Sequence, residues 1–232
     1  RVCEEFYEQY NWFNRLMISY RYKVEEPICK NEHFSEVYND IIKVFQKKGY
    51  IPTTIVFDIP YGFITQKKLE EMKRKLSIYK KKYKIGLSWK SFSDKFATDK
   101  SLNLKDLKKI FSLTNCDIFN LQYGVVNDEI NSFNNTAKNK LLSIEGLDLI
   151  NDFEGIASLL KSLDVFISVS NSTAHLAGAL GVKTILIKPE NFAVFHYWNQ
   201  KTDNTPWYPS VRLIDKKKFL NDSKFLKDIL VT

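Results

Sequence analysis

The sequence predicts a doubly wound, Rossmann-like α/β fold on a parallel sheet, and three observations carry that expectation. From residue 65 onward, strand-like runs alternate with helical patterns of about 10–15 residues, the rhythm of right-handed βαβ units. Runs such as VFISV at 165–169 and TILI at 184–187 are apolar throughout, as strands covered on both faces are. The segments that follow the strands hold most of the polar and aromatic residues that periodicity leaves over. Those segments border the crevice in which an open parallel sheet binds its ligands.

The first 60 or so residues are less regular. Residues 1–30 are rich in aromatics, with Phe6, Tyr7, Tyr10, Trp12, Phe13, Tyr20 and Tyr22, and read as helix followed by irregular chain. Phe34, Val37, Tyr38, Ile41, Ile42 and Phe45 recur at three- and four-residue steps. This predicts an amphipathic helix over 33–48, closed by Gly49. A short strand over 53–57 ends at Pro60. The expected organisation is therefore a reduced or incomplete N-terminal region over 1–62 and a ligand-binding domain over 63–232.

That domain is expected to open with a long charged helix over 65–82, a strand over 84–89 and a polar loop over 90–103. A helix over 104–113 directs Leu107, Ile110 and Phe111 inward, and a strand follows over 117–122. After a polar, Asn-rich stretch come a short strand over 141–144 and a helix over 152–163. Ile156, Leu159, Leu160 and Leu163 form the apolar stripe of that helix. The strand over 165–169 leads into a helix over 172–180 that stops at Gly181. A strand over 184–187, a long aromatic loop to 209, a strand over 211–214 and a last helix complete the chain.

Composition narrows the function. A chain of 232 residues holds one large domain, or one domain and part of a second. Charged residues make up 27% and are spread along the chain, without the apolar run of about 18 residues that a membrane span needs. The net charge of +8 comes from 35 basic against 27 acidic residues, with Lys-rich runs at 67–68, 80–82 and 216–218 on predicted helix surfaces and ends. They read as solvated faces, not as a nucleic-acid footprint. Cys3, Cys29 and Cys116 form neither a CxxC metal pair nor a disulfide framework. The expected location is cytoplasmic, which includes the inner face of the membrane. The chain begins at Arg1 with no signal-like apolar region, which reads as a trimmed or disordered start.

The richest chemistry is the segment Ser170, Asn171, Ser172, Thr173, Ala174 and His175, which joins an apolar strand to a helix. The first amides of that helix lack intrahelical partners and its dipole favours negative charge, an arrangement that holds phosphate. Asn171 or Ser172 can cap the helix, and the His175 ring leans back toward the crevice. A second reading stays open, in which Ser and Asn only cap and His175 only packs. Lys90, Lys95 and Lys100 follow the first strand of the domain, where one of them can reach a phosphate as a point charge. Phe192, Phe195, His196, Tyr197, Trp198, Trp207 and Tyr208 make the 190–208 loop either a lid on which a flat ring stacks or a satellite apolar cluster. His33, His175 and His196 show no ligand spacing, and no DxD, GxGxxG or GxxxxGK[ST] motif is present. The expectation is a site without metal or cofactor.

The blocks KIGLSWK at 84–90, IFNLQYG at 118–124, LDVFISVSNSTAHLAGALGVKTILIKP at 163–189 and TPWYPSVRLI at 205–214 resemble a known family. It is that of the C-terminal domains of bacterial glycosyltransferases related to the ADP-heptose:lipopolysaccharide heptosyltransferases, including those fused to tetratricopeptide repeats. The resemblance implies half of a two-domain, B-type glycosyltransferase that binds a nucleotide-sugar donor without metal and transfers the sugar to a saccharide, lipid-linked or protein acceptor. It implies donor contacts from Ser88, Trp89, Lys90, Gln122 and the 170–175 segment. Ser172, Thr173 and Ala174 would offer amides to the diphosphate, with His175 beside it and Lys100 as the cationic contact. Many relatives have Asp then Thr where this chain has Ser170 and Asn171, so a contact through that carboxylate does not carry over. The resemblance does not cover residues 1–60.

It names no catalytic base. Asp58, Glu25 and Glu26 are the carboxylates the sequence offers for test. The 232 residues are expected to bind donor but to transfer sugar poorly on their own, with the acceptor half trimmed, reduced or supplied by a partner chain. Two other classes remain open. An epimerase on the same architecture requires acidic residues at the strand ends, where the sequence shows none. A non-catalytic nucleotide-sugar-binding or scaffold module requires only the fold.

Overall fold

A computed structural model describes residues 64–92, 97–189, 198, 202–205 and 207–221. The expected helix over 33–48, the strand over 53–57, and Cys3, Cys29, His33, Glu25, Glu26, Asp58, Lys95, Phe192, Phe195, His196 and Tyr197 lie outside these residues.

Among the described residues the chain forms a six-stranded sheet in the order β3-β2-β1-β4-β5-β6. The strands are β1 (Tyr83–Ser88), β2 (Cys116–Asn120), β3 (Leu141–Leu142), β4 (Val165–Val169), β5 (Thr184–Lys188) and β6 (Val211–Asp215). Every neighbouring pair is parallel. The strand order reverses between β1 and β4, where Leu87 lies opposite Ile167 and Ser88 opposite Ser168. In such a sheet this is the point where the crossovers part to opposite faces and leave a crevice at the carboxyl ends.

The helices are α1 (Gln66–Leu76), α2 (Ala97–Lys100), α3 (Lys108–Phe111), α4 (Asn127–Thr136), α5 (Phe153–Lys161), α6 (Ser172–Ala179) and α7 (Lys216–Asn221), with a 3-10 turn at Leu104–Leu107. Period-2 alternation along the strands feeds a core on each face. Ile85, Leu87, Ile118 and Ile167 pack on one side with Leu107, Ile110 and Phe219. Phe119, Leu121 and Phe166 pack on the other with Met72, Leu159, Leu160 and Leu176. Gly86 faces the second of these layers, where a methyl group would come within 2.5 Å of Leu121 and Leu163.

Four elements differ from expectation. α1 stops at Leu76 and not near 82, because the Ser77 hydroxyl turns back onto the Arg74 carbonyl at 2.7 Å and the chain then extends into β1. The helix expected over 104–113 is a 3-10 turn followed by one α turn. β3 spans two residues, not four. The Asn-rich stretch holds a ten-residue helix, α4. Its intrinsic propensity is low, but Ile130 is buried, Phe133 stacks on Phe111 at 4.4 Å, and Asp128 and Glu129 face the positive end of the helix dipole. No described helix is long and apolar enough to cross a membrane.

Candidate functional site at the strand-order reversal

β1 ends at Ser88 and β4 at Val169, so the reversal brings Ser88, Trp89 and Lys90 beside Ser170 and Asn171. One asparagine spans the gap. Asn171 Oδ1 accepts from the Ala174 amide at 3.0 Å and caps α6, while its Nδ2 donates to Ser88 Oγ at 2.7 Å and to the Lys90 carbonyl at 3.2 Å. Gln122, just past β2, secures the β1 side. Its Oε1 accepts from Ser88 Oγ at 3.0 Å, from the Trp89 amide at 2.8 Å and from the Lys90 amide at 2.6 Å.

The cap decides which amides face outward. Ala174 is expected to offer its N–H to a ligand, but that N–H is spent on Asn171 and the Ser172 N–H turns to the Tyr123 phenol, which leaves the first-turn amide of Thr173. Tyr123 reaches across from β2, its phenol hydrogen-bonded to Ser172; burial pushes the phenol up and those bonds only partly offset it. Phe92 lies against Tyr123 at 5.5 Å and over Gly124. Gly124 takes a φ of 89°, and a side chain there would strike the Phe92 ring at 2.5 Å.

Several expected ligand contacts sit beneath the edge. The Trp89 ring is fully buried in the core, and its indole N–H donates to Glu129 at 3.2 Å. Lys100 is 3% exposed on α2, and burial holds its ammonium below the ordinary lysine range. His175 is 7% exposed, not projecting freely into the crevice. Nδ1 lies 2.8 Å from Tyr208 Oη, and the ring packs on Trp198 at 4.7 Å. Ser170 accepts from the Trp198 indole at 3.1 Å. Trp198 and Tyr208 thus belong to an apolar cluster with Ala174, Leu186, Val211 and Leu213. For these two aromatics the satellite-cluster reading is the right one.

Sequence reasoning missed Glu129. It stands on the first turn of α4, bonds the Leu104 amide at 3.0 Å and pairs with Lys90 at 2.6 Å. Burial raises its pKa, but the bonds from Lys90, Leu104 and Trp89 outweigh that and hold it below the usual glutamate range. Only a helix assignment for the Asn-rich stretch would have aimed it at this edge.

An open groove of about 770 Å³ lies at the opposite edge, lined by Lys81, Lys108, Phe111, Phe133, Lys138 and others. Volume alone does not make it the better site. Lys81 there already bonds the Cys116 carbonyl and Asn139, whereas the polar groups that converge without periodic cause lie at the carboxyl edge.

No protein-family model matches the chain. Over 131 residues it is 32% identical to Protein FlbA of Caulobacter vibrioides, a match that covers 56% of this chain and 21% of FlbA, so the chain spans about a fifth of that relative. It superposes on E. coli ADP-heptose LPS heptosyltransferase II with a TM-score of 0.51 at 12% identity, over 72% of this chain and 52% of that one. It superposes on a family 9 glycosyl transferase from Veillonella parvula with a TM-score of 0.51 at 11% identity, over 71% and 44%. Likeness at that identity is likeness of fold: the chain carries a glycosyltransferase-like, heptosyltransferase-like α/β fold.

Proposed function

We propose that the chain binds the diphosphate of a nucleotide-sugar donor at the N-terminus of α6 and serves as the donor-binding part of a metal-independent glycosyltransferase. The observation that carries this reading is the Asn171 bridge. By capping α6 and tying its first turn to β1, it fixes the helix N-terminus, with the Thr173 amide, beside the Lys90 backbone at the reversal of strand order. A helix N-terminus next to a lysine favours a diphosphate over a neutral ligand. The glycosyltransferase-like fold supports a sugar nucleotide over other diphosphates. The acceptor class under this reading is a saccharide, a lipid-linked sugar or a protein.

Calorimetric titration with ADP, GDP, UDP, CDP and dTDP and their sugars, with and without EDTA, tests it. Binding to at least one base, unchanged by EDTA, is expected. Failure across the panel refutes the reading, and binding only with Mg²⁺ refutes its metal clause.

A second reading, a binding or scaffold module without turnover, is favoured by one specific feature. Ser170 and His175 are both committed to packing with Trp198 and Tyr208. Donor turnover by the chain with saccharide, lipid-linked and peptide acceptors separates the two. Multiple turnovers exclude the module, and binding without turnover under all three acceptor classes favours it.

A further inference from the structure

Glu129 ties together both ends of the connection that follows β1. Oε1 accepts from the Leu104 amide at 3.0 Å, Oε2 accepts from the Trp89 indole at 3.2 Å, and the same oxygen lies 2.6 Å from Lys90 Nζ. The Lys90 backbone is pinned beside the α6 cap by Gln122 on its N–H and Asn171 on its carbonyl. Its side chain alone is left to swing. The two charged partners are 29% and 24% exposed, so an anion from solvent can reach them. The Leu104 and Trp89 donors would still hydrogen-bond the carboxylate after the ammonium departs, and its partial exposure leaves it open to water, which limits the cost of departure.

We propose that Glu129 is a positioning residue that parks the Lys90 ammonium, and that a phosphate arriving at the α6 N-terminus takes Lys90 from it. This rests on the diphosphate reading given above. The exchange replaces a carboxylate partner by a phosphate that also meets the α6 N-terminus, while Glu129 keeps its bonds to Trp89 and Leu104. It makes Glu129 a brake on affinity: without its charge, Lys90 is free to meet the phosphate at once.

The test uses the full chain and a nucleoside diphosphate panel with inorganic pyrophosphate. Glu129→Gln is expected to bind the best diphosphate about two- to fivefold tighter, the scale of a partly exposed ion pair. Lys90→Met is expected to bind more weakly, and Glu129→Gln is expected to add nothing in the Lys90→Met background. The Trp89 indole N–H resonance, assigned by its loss in Trp89→Phe, is expected to shift with diphosphate in the wild type and to stay in place in Lys90→Met. That second readout holds even if Glu129→Gln folds poorly. Unchanged or weaker binding by a folded Glu129→Gln, or an unmoved Trp89 resonance at saturation, overturns the parking role while diphosphate binding stands. Wild-type chain that binds no diphosphate overturns both.

Discussion

Asn171 is one side chain with two duties, and substitutions separate them. Asn171→Ala removes the cap on Ala174 and the bonds to Ser88 and Lys90, and should cost about 1–3 kcal/mol in urea unfolding. Asn171→Asp keeps the cap oxygen but sets a carboxylate against the proposed diphosphate, so it should fold and lose most of the binding seen by calorimetry. The cap was legible in the sequence from a polar residue between an apolar strand and a helix; the reach to Ser88, 83 positions earlier, was not, because it depends on the sheet order. His175 teaches the opposite lesson. Its place on the first turn suggests a free ring, and only the distant Trp198 and Tyr208 make it part of a core. His175→Ala should therefore destabilise the fold by about 2–4 kcal/mol in chemical denaturation, as the packing reading of His175 requires. Glu129 adds a pH dependence. Its folded pKa is held below the unfolded value, so its ionisation contributes stability that is full above about pH 4.5 and is lost as pH falls through the lowered pKa. Wild type and Glu129→Gln should converge in stability in acid and diverge toward neutrality, as thermal unfolding between pH 3 and 7 will show.

At the scale of elements, β4 and α6 were readable almost to the residue, because a continuous apolar run and a capped, Gly-terminated helix each carry their own boundary signals. Gly181 closes α6 at a φ of 67°, and the Val182 amide bonds back to the Ala177 carbonyl. α4 was invisible for the converse reason. Seven of its ten residues are Asn, Asp, Ser or Thr, types that hydrogen-bond their own backbone and favour turns in isolation. The helix exists because Ile130 and Phe133 find Phe111, a tertiary cause that no local window contains. The close seat of α6 on the aromatic cluster gives a sharp element-level prediction. Gly178→Ala gains about 1 kcal/mol of helix propensity, yet its methyl would fall 2.6 Å from the Tyr208 ring, and overpacking of that kind costs about 1–3 kcal/mol. The net change should be a lower melting temperature; a higher one would mean that α6 can lift from Tyr208 without penalty.

For the molecule as a whole, the all-parallel pairing was implied by alternating elements and apolar strands, and with it the edge at which an open parallel sheet holds its ligands; the order 3-2-1-4-5-6 was not. What the sequence did not disclose is the division of labour at that edge. Trp89, Lys100, His175 and Ser170 lie beneath it as support, and the outward groups narrow to Ser172, Lys90 and the Tyr123–Phe92 pair. The central claim is that a diphosphate binds at that narrowed edge. Hydrogen-exchange mass spectrometry of the chain with and without its best nucleoside diphosphate tests it most directly. The account predicts protection concentrated in peptides covering 88–92, 122–125 and 170–176. Protection confined to the Lys81, Lys108 and Lys138 groove, or none at a concentration that saturates calorimetric binding, would contradict it.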